Sequence, residues 1–382
     1  MKGKRWGTPE KSCCVQTGRT AVDTLWGGLG TPLQDNQGKL YEEMRRTVPV
    51  VDAAVNKIIR LVGGFEVHCD DPWCKGELQR FYREVQVGPA AAGLDQFIFQ
   101  YLNDLLTYGN AAGEMVPLKN GRGIGALYNV PLENISVAQG DSPLELDIFV
   151  YPDGMTAKKA PYPERILFSA LNPRSGEIKG RSLLEGLPYM ADILMKIYQC
   201  VGSNFQRLGN LRYGVTYKPS GPLERGSAKE IAANLAEQWG KAMADSGSIQ
   251  DFVAVGDVDI KVIGAEARIM DTQTPVRQIL EQMIAKLGLP PFILGLNWST
   301  TERMSKQQAD ILTSELESYR ALLGGIIRRV CAAHLHMLGA SPELEVVWKS
   351  ISIQDEVEQA RAALLRAQTQ AIQGGDKNGT AG

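Results

Sequence analysis

Hydrophobic residues recur at helical spacing over two neighbouring segments in the last third of the chain. Thr274 can act as the N-cap of the first segment, and Pro275 fits its first helical position. The apolar positions that follow share one helical face: Val276, Ile279, Leu280, Met283, Ile284 and Leu287. Gly288 ends the pattern and Pro290 and Pro291 prevent its continuation, so the spacing predicts a helix over 274–287.

A short apolar connector, residues 292–298, separates this helix from a longer one. Ser299 and Glu302 have the spacing of a capping box, in which both side chains satisfy backbone N–H groups at a helix start. The apolar face of the longer helix is formed by Ile311, Leu312, Leu316, Tyr319, Leu322, Leu323, Ile326, Ile327, Val330 and Leu335. The two helices meet at a stiff hydrophobic bend, although an ordinary helical corner in a core has the same pattern.

The first half of the chain combines helical and strand periodicity. Helices are predicted from Pro49 to Gly63 and from Leu94 to Gly109, and residues 70–72 predict a turn. Alternating residues and the turn signals between them predict strands at 65–68, 112–118, 124–128, 135–138, 146–151 and 165–168. This mixture indicates the α+β fold class.

A second long apolar stripe begins at Ser182, which we expect to cap its helix. The stripe contains Leu183, Leu184, Leu187, Met190, Leu194, Ile197, Val201, Phe205 and Leu208. A helix of this length spans roughly 40 Å, and its nearly heptad spacing favours side-by-side packing with other helices. Residues 211–270 then predict a small unit with a strand at 213–217, a helix at 228–244 and strands at 252–255 and 260–263, with residues 256–257 between these two strands. Asp355 is predicted to cap a last helix.

Composition and charge narrow the classes of protein. The 44% content of hydrophobic residues is typical of a folded protein. The formal charge of −2 gives no net basic charge that would indicate a nucleic-acid-binding protein. This charge does not exclude a channel that conducts DNA, because a channel that bound the DNA phosphates strongly would slow the movement of the DNA through it. The six cysteines follow no apolar leader, so we expect no signal peptide and free thiols in a reducing compartment. Cys69 and Cys74 lack a second pair that would complete a zinc site.

The residue patterns that carry enzyme chemistry are absent from the sequence. No phosphate-binding loop, nucleophile elbow or zinc-protease motif occurs, and His334 and His336 diverge on a helix. We therefore expect no catalytic residue, no metal and no cofactor, and no apolar run reaches the ~20 residues that cross a bilayer. The glycines at 121, 123 and 125 lie between strands, which argues against a dinucleotide site. The arginines expected on solvated helix faces are Arg277, Arg303, Arg320, Arg328 and Arg329.

Three segments together resemble the portal proteins of tailed bacteriophages of the siphovirus-like type. Residues 287–295 resemble the hydrophobic-Gly-hydrophobic-Pro-Pro…Gly signature of that family, and residues 299–302 with Gln307 and Gln308 follow it. Residues 105–114 resemble its Gly-Asn-Ala motif before a strand. Asn172 and Pro173, with residues 180–184, resemble the loop that enters its first stem helix. The resemblance extends from about position 49 to position 368.

The resemblance implies a portal-protein fold with a strand-rich wing, long stem helices, a small α/β clip insert, a kinked long helix and a short helical crown. The implied domains are an N-terminal arm (1–40), the wing (41–180), the first stem helix (181–210), the clip (211–271), the second stem helix (272–288), the tunnel loop (289–302), the long wing helix (303–339), a wing strand with a short crown (340–373) and a disordered tail (374–382).

The resemblance also implies a non-enzymatic function. Twelve copies would form a ring at one capsid vertex of the virion, assembled in the host cytoplasm, and double-stranded DNA would pass through it during packaging and ejection. Expected partners are the large terminase subunit, major capsid and scaffolding proteins and a head-completion adaptor, with no membrane. The tunnel-loop residues expected at the DNA channel are Asn297, Trp298, Ser299, Thr300, Thr301, Arg303 and Lys306. The stem residues expected between subunits are Leu187, Leu194, Ile197, Val201 and Leu208.

Two other classes stay open at this point. A virion-associated nuclease or protease could use a similar helical body, but it needs clustered His, Asp, Glu or Cys residues, and the sequence shows no such cluster. A membrane pore needs a spanning segment, which the hydropathy pattern does not provide.

Overall fold

The computed structural model of the 382-residue chain contains two compact units. The first unit comprises the described residues up to Ala191 and from Ile279 onward, and the second comprises those of Asp192–Gln278. The structure describes residues 36–152, 154, 156–209, 212–218, 229–231, 233, 234, 236, 237, 240, 257–263, 272–296 and 302–351. The predicted helix after Asp355 and the predicted tail lie outside these residues.

Between residues 36 and 108, the described part of the first unit contains four helices, and one of them forms its centre. They are α1 (Asn36–Thr47), α2 (Pro49–Val62), α3 (Pro72–Glu84) and α4 (Leu94–Tyr108). Helix α4 is the most deeply buried, since Phe97, Tyr101 and Leu105 are fully shielded from solvent. Helices α1 and α2 pack on α4, and Arg45 of α1 donates hydrogen bonds to Asn103 and Thr107 of α4 at 2.8 and 2.7 Å.

The sequence predictions for α2 and α4 are confirmed, and those beside them need correction. Helix α1 begins at Asn36, inside the segment expected to be a loose arm. The expected turn at residues 70–72 is instead a helix start. The Asp71 carboxylate accepts the Cys74 N–H at 2.8 Å, and proline occupies the first helical position, so the acidic pair and proline cap α3.

The described residues of the first unit also form three antiparallel sheets. Strands β2 (Asn110–Pro117), β3 (Ile124–Asn129) and β7 (Ile166–Ala170) form a sheet in the order β3-β2-β7, and β4 (Ile135–Gln139), β5 (Leu146–Val150) and β6 (Lys158–Lys159) form another in the order β4-β5-β6. Strand β1 (Phe65–His68) pairs with β10 (Glu345–Trp348). Every strand predicted between positions 65 and 168 is present, and β6 was not predicted.

Three long helices include both helices of the predicted bend. They are α5 (Leu187–Gly209), α6 (Gln273–Leu287) and α7 (Glu302–Met337). The predicted helix over 274–287 is confirmed, and so is the longer helix after it. Between them, Pro291–Leu294 forms a 3₁₀ turn that contacts α2. The prediction that α5 begins at Ser182 is wrong, because the helix starts five residues later.

The second unit contains a two-stranded antiparallel sheet. Strands β8 (Arg212–Lys218) and β9 (Asp257–Ile263) pair from Arg212 with Ile263 to Lys218 with Asp257. Strand β9 begins at Asp257, three residues before the start of the strand predicted at 260–263. Residues 252–256 lie outside the described part of the chain. The described residues of the predicted 228–244 helix, between 229 and 240, are all helical.

Arg320 joins three elements of the first unit inside the core. Its side chain is only 4% exposed. The guanidinium donates to the Val62 carbonyl at the end of α2 and to the Lys349 carbonyl after β10, both at 2.8 Å, and lies over the Trp348 ring. The expectation of a solvated arginine is therefore wrong here. Arg320 lies on the buried stripe of α7, four residues after Leu316, and that position was the available sequence signal.

Replacing Arg320 with methionine should lower the free energy of unfolding by about 2 kcal/mol, because the two carbonyl acceptors lose their donors while the apolar volume is retained. Chemical denaturation followed by circular dichroism measures the loss. Arg328→Met, an exposed position on the same helix, is the matched control and should change stability by no more than about 0.5 kcal/mol. Equal losses in the two variants would contradict the role of Arg320.

His334 of α7 is a buried neutral histidine that contacts α3 and the β2–β3 turn. Its Nδ1 accepts the Ile124 N–H at 3.1 Å, so the ring carries its proton on Nε2, which lies 3.3 Å from the Glu77 carboxylate. The ring stacks on Phe81 with centroids 4.0 Å apart. Burial lowers the pKa of His334, and the Glu77 carboxylate opposes that shift.

This depressed pKa predicts a loss of stability in mild acid. As pH falls below about 6.5, the unfolded chain binds a proton that the folded His334 does not, so the free energy of unfolding falls until the folded pKa is reached. Asp104, whose pKa burial raises to about 6, acts in the opposite direction. Wild type and His334→Asn should therefore be compared at each pH by urea denaturation. The wild type should lose more stability than the variant between about pH 7 and 5. Parallel curves would contradict the assignment.

Candidate functional site

Two of the segments that carry the family resemblance bind each other. Asn110 follows the end of α4, and its side-chain oxygen accepts the Gly180 N–H at 2.8 Å. The Leu171 N–H donates to the Gly109 carbonyl at 2.8 Å, and the Arg181 N–H donates to the Leu171 carbonyl at 2.7 Å. Residues 105–114 and 171–184, which are distant in sequence, therefore form one hydrogen-bonded junction just before α5.

Two glycines allow the backbones to approach closely at this junction. Gly109 ends α4 in the left-handed conformation with φ +78°, and a Cβ on it would lie 2.5 Å from the Arg181 backbone. A Cβ on Gly180 would lie 2.0 Å from the Gly109 carbonyl oxygen. Neither position has room for a side chain. The Gly-Asn pair and the distant Gly180 are thus parts of one packed site.

Ser182 belongs to the junction and does not cap α5. Its hydroxyl donates to the Thr107 carbonyl at 2.6 Å and accepts the Leu184 N–H at 2.9 Å. Arg181 pairs with Glu185 at 2.8 Å on the surface, and this hydrogen bond lowers the pKa of Glu185. Helix α5 begins only at Leu187, directly after Gly186, whose φ of +87° lies outside the helical region.

Helix α5 carries one apolar seam at alternating spacings of four and three residues. The seam consists of Leu187, Ala191, Leu194, Tyr198, Val201, Phe205 and Leu208. Its first three members are buried, whereas the Tyr198 and Phe205 residues are 48% and 62% exposed in the single chain. The heptad spacing is that of helices packed side by side. The exposed half of the seam is therefore available to another helix.

The predicted stem residues fall into different classes on this helix. Leu187 and Leu194 are already 2% exposed in the single chain, so a neighbour has little left to cover. Ile197 and Val201 are half-buried, and the Leu208 side chain lies outside the described part of the structure. Tyr198 is exposed on the same seam but was not part of the predicted stripe, whereas Phe205 was on the predicted stripe but not among the predicted stem residues. The four-three spacing that includes both was the available signal.

The third resemblance segment shapes the end of α6 and the first part of the predicted tunnel loop. Gly288 ends α6 with φ +67°, and a Cβ there would lie 2.4 Å from the Glu315 carboxylate of α7. Burial raises the pKa of Glu315. Gly295 ends the 3₁₀ turn in the left-handed conformation, and the Leu296 N–H donates to the Pro291 carbonyl at 3.1 Å. The signature residues thus stabilise both the 3₁₀ turn and the residues that directly follow it.

The predicted channel residues are largely outside the described structure. Residues 297–301, from Asn297 to Thr301, are not among the described residues. Arg303 and Lys306 belong to the first turns of α7, but their side chains are likewise outside what is described. Their placement at a channel stays a prediction.

The described residues provide neither a metal centre nor a membrane span. Among them, no group of three or more His, Cys, Asp or Glu side chains is placed to hold a metal ion. In the same residues, every helix is too short or too polar to cross a bilayer.

Comparison with known proteins shows what fold this is. No protein-family model and no curated protein sequence matches the chain. A chain of the native gene transfer agent virion is 15% identical, with a TM-score of 0.61 and 93% of both chains covered. A chain of the native gene transfer agent neck, computed with C12 symmetry, is 15% identical, with a TM-score of 0.59 over 88% of this chain and 91% of that one.

A crystal structure of an HK97 family phage portal protein from Corynebacterium diphtheriae is also found. It is 15% identical, with 89% of this chain and 99% of that chain covered, but its TM-score of 0.42 does not establish a common fold. The virion and neck matches do establish one over nearly the full length of the chain. This protein therefore has the fold of a chain found in the virion and neck of gene transfer agent particles.

Proposed function

We propose that this chain is the portal protein of a phage-like particle, a non-enzymatic subunit of a ring that conducts double-stranded DNA at one capsid vertex. The observation that carries the proposal is the fold shared over 93% of both chains with a chain of the gene transfer agent virion. The sequence motifs support it independently, because two of them form the junction before α5 and the third shapes the end of α6 and the first part of the predicted tunnel loop.

The exposed seam of α5 supports a ring assembly. Tyr198 and Phe205 leave large apolar surfaces on a helix that is otherwise suited to side-by-side packing. The matching neck was computed with C12 symmetry, and we infer the same number of copies here. In a ring, the seam of each α5 packs against a different surface of the next chain, because closed rings are built from head-to-tail interfaces, and so one apolar seam per chain is covered all the way around.

Each predicted domain of the ring subunit has its own proposed binding partners. The second unit contains the predicted clip, which would face the large terminase subunit during packaging and the head-completion adaptor afterwards. The predicted wing would face the major capsid and scaffolding proteins. The protein would assemble in the host cytoplasm and remain in the virion.

Two measurements on the purified full-length chain test the proposal. Sedimentation should give a particle of about 500 kDa, twelve copies of the 41.8 kDa chain. Incubation with DNA and Mg²⁺, and separately with a protein substrate, should give no cleavage. Turnover by a monomer would instead support the virion-associated enzyme, and a monomer without turnover would also remove the portal assignment.

The predicted tunnel loop gives a separate test inside particles. Asn297→Ala combined with Trp298→Ala should leave rings intact but yield heads that lose DNA or package slowly, because polar and aromatic groups at the channel would contact passing phosphates. Packaging efficiency and thermal melting of the ring are measured together. If Trp298 instead packs in a core, the variant should lose about 3–5 kcal/mol of stability. A lowered melting temperature with normal packaging per surviving ring would contradict the channel assignment.

A further inference from the structure

Two cysteines meet where β1 ends and α3 begins. Cys69 directly follows β1, and Cys74 lies in the first turn of α3. Both are fixed to Asp71: the Cys69 thiol donates to its carbonyl oxygen at 3.5 Å, and the Cys74 N–H donates to its carboxylate at 2.8 Å. The Lys75 N–H donates to the same carbonyl at 2.9 Å. The helix cap thus draws the two thiols to one place.

The two thiols lie beside the same helix cap but differ in their access to solvent. Both residues are hydrogen-bonded to Asp71, which is the N-cap of α3. Cys74 is 3% exposed, whereas Cys69 is half-buried, and both are free in the structure. Burial raises the pKa of Cys74, and the neighbouring Asp71 carboxylate adds to that shift. The pKa is raised although a position at a helix N-terminus ordinarily lowers the pKa of a thiol. Cys69 is therefore the thiol that a soluble reagent reaches first.

We propose that Cys69 and Cys74 are a redox pair that closes to an intramolecular disulfide when a small-molecule disulfide, such as glutathione disulfide, becomes available. The Cys69 thiolate attacks one sulfur of glutathione disulfide, forms a mixed disulfide and releases one glutathione thiolate. Cys74 then loses its proton to solvent and attacks the Cys69 sulfur, which releases the second glutathione. Two thiols are oxidised and one glutathione disulfide is reduced to two glutathione molecules, so electrons and protons balance.

The expected effect of this disulfide rests on the proposed function, in which the chain is a virion protein. Such a protein assembles in a reducing cytoplasm and later meets an oxidising exterior, where disulfides persist. The bond would link the end of β1 covalently to the first turn of α3. Helix α3 also supplies Glu77 and Phe81, which hold His334 of α7. Oxidation would thus fix the strand, α3 and its contact with α7 after release of the particle.

The test uses the purified full-length chain in buffers with increasing ratios of oxidised to reduced glutathione. Samples are quenched in acid, remaining thiols are alkylated, and peptides are analysed by mass spectrometry. We expect a linked peptide containing Cys69 and Cys74, with the loss of two hydrogen masses and little glutathione adduct at Cys69. Alkylation of both thiols at every ratio, or a stable glutathione adduct on Cys69, would overturn the proposal.

Two single variants separate the roles of the thiols. Cys74→Ser should accumulate the glutathione adduct on Cys69, because the second attack is lost. Cys69→Ser should leave Cys74 unmodified, and Cys200→Ser should form the linked peptide like wild type. Absence of the adduct in Cys74→Ser would contradict the assigned order. The chemistry is read on the chain itself, so its failure leaves ring formation intact, and failure of ring formation leaves the thiol result standing.

Discussion

Gly180→Ala should destabilise the first unit by about 3 kcal/mol or more, the largest effect that we expect from an alanine substitution at any of the described glycines. The added Cβ would lie 2.0 Å from the Gly109 carbonyl oxygen and 2.3 Å from the Leu171 nitrogen. Both atoms belong to backbone that is already hydrogen-bonded in the junction, so neither can move aside as a flexible side chain would. The substitution therefore breaks the Asn110–Gly180 and Leu171–Gly109 hydrogen bonds or strains the backbone around them.

Chemical denaturation followed by circular dichroism measures this loss. Gly76→Ala is the matched control, since Gly76 lies in α3 with no atom near the position of its Cβ. It should raise stability by about 0.5–1 kcal/mol, because alanine loses less backbone entropy than glycine in a helix. Equal stability of Gly180→Ala and wild type would show that the two motif segments do not depend on close contact.

Phe205→Asp should abolish ring assembly while the single chain stays folded. Phe205 is 62% exposed, so a charge there costs the isolated chain almost nothing. In a ring the same carboxylate would be buried in an apolar helix interface without a partner, at a cost of several kcal/mol for each chain. Because every subunit carries the change, the penalty is repeated at every interface. Light scattering should show monomers or small oligomers, with unchanged circular dichroism.

Ser203→Asp provides the control for this prediction. It adds the same charge to the same helix, on the side away from the seam, where the residue is exposed. We expect rings from Ser203→Asp and none from Phe205→Asp. Rings from both variants would remove the seam from the interface. The related change Ile197→Asp should also lose rings, but Ile197 is half-buried in the single chain, so its effect on assembly is less cleanly separated from folding.

Local sequence signals were sufficient where an element carried its own start, stop and periodicity. Helix α2 begins at Pro49 and ends before Gly63, and α4 ends next to Gly109, all as predicted. The strands of the first unit followed their alternation and their turns. These elements bury one continuous face, which is what periodicity measures.

Predictions for other elements were wrong because the same residue pattern occurs in two different structures. Asp71 and Pro72 were interpreted as a turn, although an acidic residue before proline is equally an N-cap with a first helical proline. Ser182 looked like an N-cap, but its hydroxyl is bound by the end of α4, a contact between residues far apart in sequence. The burial of Arg320 could not be predicted for the same reason. A charged residue on an apolar stripe is buried only when carbonyls that are distant in sequence accept its hydrogen bonds.

The site was predicted only in part for a related reason. The motifs identified the segments that form the junction, but their mutual binding depends on the tertiary fold. The stripe on α5 was visible in the sequence, yet which half of it is free follows from what the rest of the chain covers. Leu187 and Leu194 are covered by their own chain, while Phe205 is not. Only the structure separates these two groups of residues.

Electron microscopy of the purified full-length chain in negative stain tests the central claim most directly. We predict ring-shaped particles with a central channel, whose class averages show twelve-fold symmetry, and their absence in the Phe205→Asp variant. A population of compact single chains, at concentrations where the wild type is fully folded, would contradict the assignment of this protein as a portal.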